Sequence, residues 1–201
     1  MSSRMDECPL GRGQIDSEGG LTTFLGRVYV LNDVPLSTSN TASAPRTSHN
    51  VFVRVVRNNS GFALLPGRAV AWQAGSNMTA VAGYTRTSAA DIAGIVDERV
   101  PASGVPDGDD FLIVVHGPSL ILNDIASGAT TVITEGDYLV ALTAVTSGAT
   151  TAGRLATADF TGATSPLALN IANIIGRAIS AAATANTNSS VLAFIESRHA
   201  L

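Results

Sequence analysis

The run Phe111-Leu112-Ile113-Val114-Val115 constrains the fold more than any other stretch of this chain. Asp107-Gly108-Asp109-Asp110 precedes it and His116-Gly117-Pro118 follows. Five apolar residues are too few for periodicity to separate strand from helix. Ile113, Val114 and Val115 are β-branched, however, Phe111 is aromatic, and both flanks are turn-forming, so the run is predicted to be a strand. With apolar side chains on both faces it must be covered on both sides. Each such side chain contributes about 1.5–3 kcal/mol on burial, which makes this the expected centre of the core. It carries no reactive group.

Other short β-rich segments surround it, cut by glycine turns. Val51–Val56, Arg68–Trp72, Met78–Tyr84 and Ile92–Val96 lie before it. Ser119–Asn123, Val132-Ile133, Tyr138–Thr143, Ile174–Ile179 and Val191–Ile195 lie after it. No long helical pattern separates them, so the fold class is all-β, a compact β-sandwich or β-barrel-like domain. Ser165–Ile175 is open between two readings. Ser165 as N-cap and Pro166 as first helical residue give one short helix, while Leu167, Leu169 and Ile171 alternate with strand spacing. Residues 51–201 form the β-rich domain. Residues 1–50 are polar and glycine-punctuated, with Leu36–Asn50 nearly all small polar side chains, and read as an extended N-terminal arm that orders against something else or as a loose tail. An internal β-unit duplication is visible at about 61–118 and 130–196, with coincidence in a Gly/Ala/Val-rich chain as the competing explanation. In each half a glycine-led turn opens a strand, a second strand carries a glycine, and an apolar strand closes.

Only 14% of the residues are charged, against roughly 25% in ordinary soluble domains, and all the basic residues other than histidine are arginine. A surface so poor in charge suits a homo-oligomer or an assembly. The net charge of −4 and the scattered arginines argue against a nucleic-acid partner held through its phosphates. Cys8 is the single cysteine, so no disulfide framework or multi-cysteine metal site is expected. Met1-Ser2-Ser3-Arg4 leads into Asp6-Glu7 without an apolar run, and no stretch reaches the roughly 18–20 apolar residues of a membrane helix. Synthesis in a cytoplasm and no membrane contact are the expectation.

Reactive chemistry needs convergent polar groups. His49 lies in the polar arm, His199 near the last residue and His116 just past the apolar run, and no Gly-x-Ser-x-Gly elbow occurs. Asp107–Asp110 lacks the spacing of a calcium loop and reads as a solvated turn. Without lysine there is no phosphate-binding Gly-x-x-x-x-Gly-Lys loop, and Gly11-Arg12-Gly13 is not framed by strand and helix. The expectation is a protein that is not an enzyme, with no cofactor and no metal.

From about residue 58 the order of turns is distinctive. Asn59-Ser60-Gly61 leads to Leu65-Pro66-Gly67-Arg68-Ala69-Val70, then Ala93-Gly94-Ile95-Val96-Asp97-Glu98, then Phe111–Val115 with His116-Gly117. Glu135-Gly136-Asp137-Tyr138-Leu139 and Ile175-Gly176-Arg177-Ala178 follow, before a closing apolar strand. Over roughly residues 58–196 this pattern resembles the capsid decoration, or cement, proteins of tailed bacteriophages. The resemblance implies a structural virion protein on the outer capsid surface, bound to the major capsid protein, often trimeric, stabilising the shell. An arm of this kind would add a strand to a neighbour through Val28, Tyr29 and Val30, with Arg27 and Arg46 meeting acidic partners. The alternatives are a head-fibre or tail-associated β protein with receptor or carbohydrate binding, and a hydrolase or lyase on a β scaffold using His116.

Overall fold

The computed structural model describes residues 7–33, 47, 49–84, 92–122, 133–141, 153–158, 174–181 and 190–197. Arg46, His199 and residues 165–173 of the stretch open between helix and strand lie outside them, and Ile174 and Ile175 are strand. Among the described residues the fold is all-β, with ten strands. They are β1 (Val28–Asn32), β2 (Asn50–Asn58), β3 (Ala69–Trp72), β4 (Ala80–Gly83), β5 (Ile92–Val96), β6 (Asp110–Leu122), β7 (Tyr138–Ala141), β8 (Leu155–Thr157), β9 (Ile174–Ala178) and β10 (Ser190–Glu196).

The apolar run opens β6, which continues through His116-Gly117-Pro118 instead of ending there. The β2 ladder stops at His116, so Pro118 is not asked for a donor on that edge. Its first half belongs to a closed ring: β2 pairs β4 in parallel, and β4–β3, β3–β5, β5–β6 and β6–β2 pair antiparallel. Its second half pairs with β10, from which β9, β7 and β8 extend the sheet. A bulge joins the halves. Phe52 faces His116 while Val53 faces Val114, leaving Val115 as the extra residue on β6.

That geometry explains why both faces of the run are apolar. Phe111, Ile113 and Val115 fill the barrel with Val56, Leu64, Val70 and Val81. Leu112, Val114 and, past the bulge, Ile121 face a second core with Val53, Val55, Leu139, Ile175, Val191 and Ile195. The two halves of the proposed duplication share an order of pairing, β3–β5–β6 and β7–β9–β10. In each, the glycine of the middle strand lies under the next strand: an added Cβ would sit 2.5 Å from the Val114 carbonyl at Gly94 and 2.1 Å from the Phe194 carbonyl at Gly176. Neither glycine has positive φ, so close backbone approach is what requires them.

Residues 7–33, expected as an arm, are seated on the chain's own body. Leu10 and Tyr29 belong to the second core, and Leu21, Phe24 and Leu25 pack against it. Arg12 is buried. Its Nε and Nη2 donate to both oxygens of Asp97 at 2.9 and 3.0 Å, and its Nη1 lies 3.7 Å from Asp33. Burial pulls the Arg12 guanidinium down, but the hydrogen bond and charge of Asp97, with Glu98 and Asp33 behind it, leave its pKa above the ordinary arginine value.

The Asp107–Asp110 turn corrects one sequence expectation. Asp110 is not solvated: it is fully buried and accepts from Arg57 Nε and Nη2 at 2.7 and 3.1 Å. Its backbone also bridges to Asp16. Asp107 accepts the Gly61 amide at 2.8 Å. Between these turns the buried Asn58 amide donates to the carbonyls of Phe62, Val105 and Pro106 at 2.8–3.0 Å. A distant N-terminal residue and an arginine on β2 thus remove the aspartate from water, and no local spacing could have shown it.

Candidate interaction surface

Alternation along the strands assembles one face from residues far apart in sequence. Tyr29, Val53, Ile195 and Leu139 point into the second core, so their neighbours Val30, Phe52, Phe194 and Tyr138 point away from it. The registers place these in a cross-strand row. Val30 faces Phe52, Phe52 faces His116, Phe194 faces Arg177, and Arg177 faces Tyr138. The row crosses β1, β2, β6, β10, β9 and β7. Val30 is 53% exposed and Tyr138 43%, His116 and Phe194 are half-buried, and Phe52 is half-buried against the barrel core.

Ring contacts order the middle of the row. His116 meets Phe52 edge-to-face at 5.3 Å and Phe194 at 5.1 Å, and His49 meets Phe194 at 5.4 Å. These separations are in the favourable range for aromatic pairs. At the far end the Arg177 guanidinium lies 4.9 Å from the Tyr138 ring centroid, and its Nε and Nη2 donate to the Gly136 carbonyl. Because those donors are held by the chain itself, the Tyr138 ring is presented in a fixed orientation.

The residues singled out in the sequence divide between the two faces of β1. Arg27 stacks over Phe24 at 5.4 Å, and its carbonyl accepts from Val55 N–H at 3.1 Å. Val28 packs against the barrel core and Tyr29 is buried in the second core. Burial pushes the Tyr29 hydroxyl above the usual tyrosine range, against the opposing pull of Arg27. Val30 alone of the four reaches the open face, and Arg46 lies outside the described residues. β1 itself pairs with β2 of the same chain, Val28 opposite Arg54 and Asn32 opposite Asn50.

Phe52, His116, Phe194 and Arg177 were missed as surface residues. Phe52 and Phe194 have the signal of a two-residue alternation, but only the strand pairing tells which parity faces out. Beside the row, Arg54 projects on the same side of β2, against Trp72 and Met78. Among the described residues no group of three His, Cys, Asp or Glu side chains is placed to share a metal ion.

The class defined here is an all-β body, part closed barrel and part open sheet, with a half-aromatic face on the open part. No protein-family model matches the chain. No curated protein matches it either. Among solved structures it is similar to the N base of the head fibre protein gp8.5 of bacteriophage phi29, covering 73% of this chain and 94% of that one, with 14% sequence identity and a TM-score of 0.39. A likeness of that size carries no functional weight.

Proposed function

We propose that this chain is a structural virion protein of a tailed bacteriophage that binds the outer capsid surface and stabilises the shell, working as a homo-oligomer, with a trimer favoured, and not as an enzyme. The carrying observation is the open face on which Val30, Phe52, His116, Phe194 and Tyr138 line up across neighbouring strands. Half-exposed apolar and aromatic rows of this kind serve protein–protein contact, where buried aromatics dominate the binding energy. The order of glycine turns that resembles decoration proteins supports the same reading. On it the partners are the major capsid protein and further copies of the chain, with no nucleic acid, membrane or cofactor.

The mechanism is mass action. A protein that binds the assembled shell but not its dissociated subunits stabilises the shell by RT ln(1 + [L]/Kd), about 2.7 kcal/mol per site at a concentration one hundred times Kd. Six strands of one sheet hold the contact residues in place before docking, so little ordering entropy opposes binding. The test is sedimentation of the purified chain with empty capsids. The reading expects a saturable, fixed ratio to the major capsid protein and a higher disruption temperature of the particle. A chain that stays in the supernatant at every concentration overturns it.

A second reading, a head-fibre or tail-associated protein that binds carbohydrate, is favoured by one observation: the exposed Tyr138 ring, oriented by Arg177. Glycan-array binding that is lost in Tyr138→Ala, with no capsid binding, would replace the first reading by this one.

A further inference from the structure

Arg54 is buried, with 6% of its surface exposed. Its Nε is sealed from solvent without an acceptor, and its Nη1 has only the Met78 sulfur, at 3.1 Å. The guanidinium carbon lies 5.5 Å from the Trp72 ring centroid, and the Trp72 indole N–H is itself buried without an acceptor. Two neighbouring side chains therefore each keep a buried N–H without an acceptor. The chain treats Arg12 and Arg57 otherwise, giving each a buried carboxylate in two-point contact, Asp97 and Asp110. Burying a charge with neither counter-ion nor acceptor costs several kcal/mol, and native structures rarely leave such groups unmatched without a reason.

The surroundings state what would match. Around Arg54 stand Val28, opposite it on β1, Trp72, and Met78, which is 41% exposed. Arg54 stands two residues along β2 from Phe52, at the margin of the open face. A planar fork beside an aromatic ring, in an apolar rim, suits a planar acceptor taken in two-point contact. Burial alone holds Arg54 below the ordinary arginine value, and no carboxylate opposes that shift.

We propose that Arg54, with Trp72 beside it, is a receptor for a carboxylate, an aspartate or glutamate side chain presented by the surface on which the protein docks. The inference rests on the shell-binding reading above and adds the chemistry of the contact: the partner supplies at the margin of the open face the anion that this chain supplies to Arg12 and Arg57. Met78, flexible and partly exposed, is the side chain that yields when the acceptor enters.

The test uses the full chain labelled with 15N at arginine and tryptophan, with N-acetylglutamate as probe. Addition of the probe in the millimolar range is expected to shift the Trp72 indole resonance and one arginine Nε resonance together and saturably. Arg54→Met, which identifies that arginine, abolishes the Trp72 shift. N-acetylglutamine at matched salt leaves both resonances in place. Absence of a shift, an equal Trp72 shift in Arg54→Met, or a response to inorganic phosphate but not to the carboxylate overturns the assignment. A second measurement separates a receptor from a structural residue. With no partner present, replacing the buried cation by methionine is expected to leave the melting temperature equal or higher, while capsid binding weakens about 30-fold or more. A melting temperature well below wild type makes Arg54 a core residue and overturns the inference. If wild type and Arg54→Met bind capsids equally, this inference falls and the shell-binding reading stands. If wild type binds no capsid but the titration succeeds, that reading falls and the carboxylate receptor stands.

Discussion

Arg12→Met tests whether the N-terminal segment is part of the folded body. The wild-type Arg12 side chain is 5% exposed and bridges Asp97 and Asp33, both fully buried. The substitution keeps most of the side-chain volume but takes from Asp97 the guanidinium that meets both its oxygens. Breaking a buried pair by removing one partner costs about 3–5 kcal/mol, out of roughly 5–15 kcal/mol for a whole domain. For a chain of this length each kcal/mol moves the melting temperature by about 2–4 °C, so the expected fall is about 6–20 °C, read by circular dichroism. The double variant Arg12→Met with Asp97→Asn should lose less than the sum of its parts, by about 1 kcal/mol or more. A loss below about 1 kcal/mol for Arg12→Met, or strict additivity, would refute the reasoning, since the segment could not then be seated as described.

Three other outcomes are expected. Gly176→Ala forces a Cβ to within 2.1 Å of the Phe194 carbonyl and should cost about 1–3 kcal/mol or more in urea unfolding; a neutral result would mean that β9 and β10 are not in this register. Tyr84 is buried and its hydroxyl is pushed up by burial, against the Leu65 N–H and Arg68, which pull it down. Its raised folded pKa keeps stability intact up to the ordinary tyrosine range of about 10 and lets it fall as pH climbs further, so Tyr84→Phe should flatten that alkaline limb while costing about 1 kcal/mol at neutral pH through the lost acceptor. Val30→Asp, at a position 53% exposed, should change stability by no more than about 0.5 kcal/mol yet reduce capsid binding severalfold in sedimentation; unchanged binding would remove β1 from the contact face.

Much of the fold was legible because it rests on local signals. Short β-rich segments between glycine turns marked eight of the ten strands described, β1 was expected as a strand on a neighbour, and Ile133, expected in a strand, lies outside them. The double-sided burial of Phe111–Val115 followed from its composition. β8 was missed because Leu155–Thr157 is too short for alternation to register. The continuation of β6 through Pro118 was hidden because it depends on where the β2 ladder stops and on the bulge at Val115, both set by a partner strand. The open face was illegible for a related reason. Phe52 and Phe194 lie far apart in the chain, and only strand order makes them neighbours of His116. Arg12, Arg54 and Arg57 look alike in sequence. Their different environments depend on carboxylates about 53 to 85 residues away, or on finding none.

β6 passes unbroken from the barrel into the open sheet. A tug on either part is therefore carried to the other through covalent bonds of a single strand. Drawing β6 out lengthwise would shear its ladders with β2 and β10, so many hydrogen bonds would have to fail together rather than one after another. A single-molecule pulling trace should accordingly show one high rupture in place of a staircase of small ones.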